Sequence, residues 1–164
     1  MDNDTSGKAH DGKGALLDMQ AFFPYRLAVF AETVSRTMAG LYADRFQLTR
    51  QEWRILAALA NMPQATATVL GEYSTLDKMQ VSRALADMEA RGLVARAEGR
   101  ADRRTKEVRL TAQGRALFRQ IVPLVQAREE ALLSALSLEE RVLFCAMMDR
   151  LEARARGLQA ATSG

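Results

Sequence analysis

The stretch Leu76–Leu110 reads LDKMQVSRALADMEARGLVARAEGRADRRTKEVRL, and its interpretation decides the fold. The first half has a helical period. Val81, Leu85 and Met88 recur at i, i+4 and i+7, which puts them on one face and predicts that the face is buried. At roughly 100° per residue, Met79, Arg83 and Ala86 point the opposite way, flanked by Gln80 and Ser82. That outer face is narrow, free of bulk near the helix start, and carries one long cation. Such a face suits a helix that enters a DNA major groove and brings its N-terminal side chains to base edges. Gly92 supplies the left-handed residue that stops the helix.

The second half changes period. Leu93, Ala95 and Ala97 alternate with Val94, Arg96 and Glu98, and a second run, Lys106–Leu110, places Val108 and Leu110 on its apolar side. The pattern predicts a β-hairpin with the tip GRADRRT. Four cations (Arg100, Arg103, Arg104, Lys106) stand there against one acid, Asp102. A solvated turn would also be charged. Directly behind a groove-shaped helix, however, the same charge suits a phosphate backbone or a minor groove.

Helix plus basic hairpin resembles a winged helix-turn-helix, and the wording resembles the MarR family of bacterial transcriptional regulators. The matching residues are Asp77-Lys78, Val81-Ser82-Arg83, Glu89-Ala90-Arg91-Gly92-Leu93-Val94, Asp102-Arg103-Arg104, and Leu110-Thr111 with Gly114. Upstream, Leu48-Thr49-x-x-Glu52-Trp53 extends the match; downstream, Leu136-Ser137-x-Glu139-Glu140-Arg141 does. The resemblance covers the chain from about Pro24 to Leu151.

The predicted fold is mainly α with a small β-hairpin wing: a winged helix-turn-helix lobe with N- and C-terminal helices forming a dimerisation layer. Residues 1–14 are polar and Gly-rich and predict a disordered tail. Residues 15–46 form the N-terminal dimerisation region. Within it Phe23, Leu27, Phe30, Val34, Met38 and Leu41 mark one helical stripe that Tyr42 and Phe46 extend, with Pro24 in the first turn. Residues 47–111 form the DNA-binding lobe. There Thr49-x-x-Glu52 is a capping box opening a helix, Asn61–Ala65 a turn, Thr66–Tyr73 a short helix, and Ser74-Thr75-Leu76 the turn into the recognition helix. Residues 112–158 hold the C-terminal dimerisation helices. The first is capped by Thr111 and expected to kink at Pro123; the second is opened by the capping box Ser137-x-x-Glu140. Residues 159–164 are expected to fray.

Size and composition set bounds. A chain of 164 residues with 48% apolar content fits one domain with extensions. A net charge of +3 permits a nucleic-acid partner without requiring one. The single cysteine, Cys145, allows no internal disulfide and fits a reducing cytoplasm; on the apolar side of its helix it reads as core filler. No run reaches the roughly 18 apolar residues of a membrane span, and no signal-peptide apolar region stands at the N-terminus. No metal-ligand spacing, nucleophile elbow, phosphate loop or dinucleotide fingerprint occurs. The only histidine, His10, lies in the polar tail. The chain does not read as an enzyme, and no cofactor is implied.

The resemblance implies a homodimer that binds double-stranded DNA at a pseudo-palindrome, as a ligand-responsive repressor in the cytoplasm. Arg83 is the first candidate for base contact, with Met79, Gln80 and Ser82 beside it. Ser74, Thr75, Lys78, Arg100, Arg103, Arg104 and Lys106 are candidates for phosphate, and Asp102 for pairing with a neighbouring arginine to shape the wing. The opening PYRLAVFAETVSR resembles a subgroup tied to aromatic-acid catabolism. It implies a phenolic acid or its CoA thioester as effector, with Tyr25, Arg26, Trp53 and Arg54 as candidate contacts. The rival reading is a helical dimer acting through protein contacts, or packaging DNA without sequence preference.

Overall fold

The computed structural model of the protein describes residues 17–98 and 106–162. The chain divides into two compact units, residues 1–37 and 38–164. In the first, a turn at residues 19–21 leads into helix α1 (Phe23–Phe46), which runs on into the second unit. Its first four turns expose Phe23, Leu27, Val29 and Phe30.

The second unit is built around α2 (Arg50–Asn61). Thr49 opens it: its hydroxyl accepts from the Glu52 amide at 3.2 Å, while the Glu52 carboxylate accepts from the Thr49 amide at 2.7 Å. This is the capping box expected from the sequence. One face of α2, with Ile55, Leu56, Ala58 and Leu59, is buried at the centre of the lobe. Strand β1 (Ala65–Thr66) follows, then α3 (Ala67–Ser74), α4 (Lys78–Ala90), β2 (Val94–Glu98) and β3 (Lys106–Leu110).

The wing is the antiparallel hairpin β2–β3, with Val94 opposite Leu110 and Arg96 opposite Val108. The sheet has a third strand that the hairpin reading lacked. β1 pairs with β3, Ala65 opposite Val108, giving the order β1-β3-β2. Two residues are too few to show a period of two, so Ala65 read as the end of a turn and Thr66 as the start of a helix. Val94, Val108, Leu110 and Ala65 close over Val81, Leu85 and Met88 of α4 in one buried cluster.

The junction between α4 and the wing fixes the hairpin's position. Gly92 has φ +68°, its amide bonding the Glu89 carbonyl at 2.9 Å, and the Leu93 amide bonds the Met88 carbonyl at 2.9 Å. These two bonds are a Schellman stop, with Leu93 and Met88 both buried behind it. Thr111 then ties the two ends of the hairpin together. Its hydroxyl donates to the Gly92 carbonyl at 2.6 Å and accepts from the Gly114 amide at 3.0 Å, capping α5 (Ala112–Leu133). Gly114 lies so close to this junction that a Cβ there would stand 2.1 Å from the Leu93 carbonyl oxygen.

Helix α5 continues through Pro123, and α6 (Leu138–Thr162) opens with the Ser137/Glu140 capping box. Arg141 clasps the turn between them. It holds both Glu130 carboxylate oxygens, at 2.9 and 3.0 Å, and the Leu133 carbonyl at 3.0 Å. That double contact draws the Glu130 carboxyl below its ordinary value. Helix α6 runs on through Thr162, past the boundary at 158 drawn from sequence; the last two residues lie outside those described. No residue of α6 is buried. Cys145 is accordingly exposed and not core filler, because its helix buries no residue, Phe144 beside it being only half-buried.

Candidate nucleic-acid interface

The N-terminus of α4 is capped by Asp77. Its carboxylate accepts from the Gln80 amide at 2.8 Å, and the Gln80 side-chain oxygen accepts from the Asp77 amide at 3.1 Å. The Asp-x-x-Gln spacing is a cap signal that reading Ser74-Thr75-Leu76 as the turn passed over. The consequence reaches the outer face. Reading adenine with a glutamine takes both ends of the amide, and here the oxygen of Gln80 is already turned back onto the helix end. Met79, Ser82 and Arg83 remain exposed with Lys78. Met79 presents 62% of its surface, and Arg83 makes no hydrogen bond or ion pair among the described residues.

The turn before α4 is held by α2. The Arg54 guanidinium donates to the Ser74 carbonyl at 3.1 Å and to the Thr75 hydroxyl at 3.0 Å. Thr75 sits in the left-handed region at φ 55°, a costly conformation for a β-branched residue. The Arg54 bridge and a 2.7 Å bond from its own hydroxyl to the Ser74 carbonyl hold it there. Ser74 is buried and its hydroxyl donates to the Leu70 carbonyl. It is therefore not placed to reach phosphate, contrary to expectation, because it closes α3 from inside. Thr75 is exposed.

At the other end of α4, Arg91 is a buttress. It donates to the Phe46 carbonyl at 3.0 Å, the Gln47 carbonyl at 2.8 Å and the Glu52 carboxylate at 3.2 Å. Glu52, only 3% exposed, thus serves the α2 cap with one oxygen and Arg91 with the other. A buried carboxylate satisfied on both sides is rigid and costly to disturb. Arg96 on β2 pairs with Glu89 at 2.9 Å, adding a surface link between α4 and the wing. Lys106 is exposed at the start of β3, opposite Glu98. Arg100, Asp102, Arg103 and Arg104 lie outside the described residues.

The four candidate effector contacts fall in different settings. Tyr25 and Arg26 are exposed on α1 in the first unit. Trp53 is stacked between Tyr42 and Phe118, with ring centroids 5.4 and 5.9 Å away, and Arg54 is engaged at the turn described above. Trp53 thus packs against the core, as its spacing with Leu56 and Leu59 on α2 suggests, and Arg54 has structural employment that the sequence did not show. Burial raises the Tyr42 phenol above its ordinary value against the opposing pull of Arg50 and Arg54. Elsewhere in the second unit, an open cleft of about 400 Å³ lies between the end of α2, the end of β3 and the first turns of α5. Among the described residues no cluster of His, Cys, Asp and Glu could hold a metal, and no helix is long and apolar enough to cross a membrane.

A capped helix with an unobstructed outer face, set by a rigid turn and followed by a sheet-borne wing, defines a winged-helix DNA-binding protein. The comparisons agree. The family model described as MarR family matches residues 46–105. The transcriptional regulator HosA of Escherichia coli O157:H7 is 33% identical over 104 residues, which are 63% of this chain and 77% of HosA. The chain belongs to the MarR family and is a DNA-binding transcriptional regulator. Among solved structures, the repressor CouR bound to a 23-mer DNA duplex matches with TM-score 0.72 and 25% identity, over 84% of this chain and 99% of CouR. Bordetella bronchiseptica BpsR, solved in connection with regulation of its DNA binding by 6-hydroxynicotinic acid, shares the fold. Its TM-score is 0.74 at 22% identity, over 84% of this chain and 97% of BpsR.

Proposed function

We propose that the protein is a homodimeric, ligand-responsive repressor that reads a pseudo-palindromic operator with α4 and releases it when a small aromatic acid or its CoA thioester binds. The observation that carries the reading is the outer face of α4, where Arg83 stands exposed, with no hydrogen bond or ion pair among the described residues, on a helix fixed at both ends. Arg83 contacts a base, most naturally guanine O6 and N7, with Ser82 and Met79 beside it; a methionine fits the thymine methyl. Gln80 contributes at most its amide nitrogen. Lys78, Thr75, Lys106 and the wing cations Arg100, Arg103 and Arg104 hold phosphate and supply salt-dependent affinity, with Asp102 shaping the wing.

Two recognition helices about one turn of DNA apart require a dimer. Helix α6 supports that. Its exposed Leu138, Val142, Leu143, Met147, Met148 and Leu151 stand on more than one side of the helix and leave much apolar surface uncovered. A second copy of the chain would cover it. For the ligand, the reading draws on BpsR, whose DNA binding is regulated by an aromatic acid.

The test is a titration of purified protein on its own upstream intergenic region and on a scrambled control, at about 150 mM salt. Phenolic acids and their CoA thioesters are then added. Specific binding released by one compound is the expected result. Equal affinity for both DNAs would replace the reading with non-specific packaging.

A further inference from the structure

Three helix ends meet at one guanidinium. Arg91 is the C-cap of α4, and its side chain reaches the end of α1, where it donates to the Phe46 carbonyl at 3.0 Å and the Gln47 carbonyl at 2.8 Å. Glu52, in the first turn of α2, accepts from the same guanidinium at 3.2 Å and, with its other oxygen, from the Thr49 amide at 2.7 Å. The last carbonyls of a helix have no partner within it and carry its partial negative charge, so a cation is favourable there. Arg91 thus caps α1 from the end of α4, and the start of α2 supplies its counter-ion.

The joint that it caps is strained. Gln47 takes φ 52°, a region glycine enters at less cost, and the Leu48 amide returns to the Tyr42 carbonyl at 3.1 Å. Among the described residues the only other non-glycine at positive φ is Thr75, ahead of α4, and it too is met by an arginine from another helix, Arg54. Each end of α4 is therefore set against a strained joint by a guanidinium. At the Arg91 end Gly92 and the wing follow at once, so one residue fixes both where α4 finishes and where the hairpin begins.

We propose that Arg91 is a positioning residue for operator reading: it sets the tilt of α4 and the root of the wing against the end of α1 without touching DNA. The proposal rests on reading by the outer face of α4. A binding constellation has to be held within about 0.5 Å of its productive geometry. Base contacts demand that precision, whereas phosphate contacts carry no sequence information. Loss of Arg91 therefore falls on the operator and spares scrambled DNA. Its side chain is 37% exposed, so a phosphate contact is the rival to be separated.

The full-length chain is titrated on its own upstream intergenic region and on scrambled DNA at about 150 mM salt, well below each variant's thermal transition. Arg91→Met weakens operator binding about tenfold or more and scrambled binding by less than about twofold. Arg91→Lys lowers the ratio as well, because it keeps the charge but not the planar fork that spans two carbonyls and a carboxylate. Where Arg91→Met alone does not fold, the comparison is made in a Gln47→Gly background, which takes positive φ without the side-chain cost. Equal losses on both DNAs that Arg91→Lys restores would make Arg91 a phosphate contact. An unchanged ratio in both variants, with only a lower melting temperature, would leave it a stabiliser of the fold. Either result overturns the proposal. A wild type without operator preference strikes the reading by α4 on which the proposal rests.

Discussion

Helices α4 and α6 are built to opposite specifications. The 13 residues of α4 bury Val81, Ala84, Leu85 and Met88 against α2 and the wing, and both ends are tied by named hydrogen bonds. The 25 residues of α6 bury none, and the firmest tie there is the Arg141 clasp at its start. One helix is made rigid by its own chain so that its outer face can be read by something else. The other leaves apolar residues uncovered, the surface proposed above for a second copy. The comparison separates what the lobe does alone from what only an assembly can do.

The separation breaks most severely at the wing base. Gly114→Val sets a side chain where the Leu93 carbonyl already stands, so Thr111 and Gly92 cannot keep their contacts. We expect a loss of about 4 kcal/mol or more, read as collapse of the thermal transition. Met88→Ala empties the contact between α4 and the Schellman stop and should cost about 2–5 kcal/mol in denaturant melts, with no dependence on protein concentration beyond that of wild type. Leu143→Glu tests the other side. It should leave the lobe folded by circular dichroism but shift sedimentation from dimer to monomer and reduce operator affinity about tenfold or more. A Leu143→Glu protein that stays dimeric would place the partner surface elsewhere.

Smaller effects refine the contrast. Thr49→Ala removes the hydroxyl that accepts from the Glu52 amide, while the Glu52 carboxylate keeps the Thr49 amide and Arg91, and should cost about 1 kcal/mol. The smallest sits at the clasp. Because the folded-state pKa of Glu130 is depressed, its contribution is present above the ordinary glutamate value and is lost as pH falls through the lowered one. Glu130→Gln should therefore flatten the acid limb of a stability–pH curve and change nothing at neutral pH beyond the exposed-pair contribution.

Much of this was legible because it is local. The burial of Val81, Leu85 and Met88 follows from their spacing, the Gly92 stop from the one residue suited to positive φ, and the α2 cap from Thr49-x-x-Glu52. What escaped is tertiary or too short. β1 is two residues long and exists through its pairing with β3. The engagement of Arg54 at Thr75, 21 positions away, and the closeness of Gly114 to Leu93 leave no periodic trace. Cys145 was misplaced because an apolar stripe tells that a face is covered but not whether the same chain covers it. Asp77 was a missed local signal: Asp-x-x-Gln is a cap, and reading it would have assigned the Gln80 side-chain oxygen to the helix end.

The most direct test of the central claim is the ratio of operator to scrambled-DNA affinity for wild type and Arg83→Ala, measured by fluorescence anisotropy at about 150 mM salt. If α4 reads bases, the substitution costs about 1–3 kcal/mol on the operator and much less on scrambled DNA, so the ratio falls. An equal loss on both DNAs would make Arg83 a phosphate contact and contradict recognition by the outer face of α4.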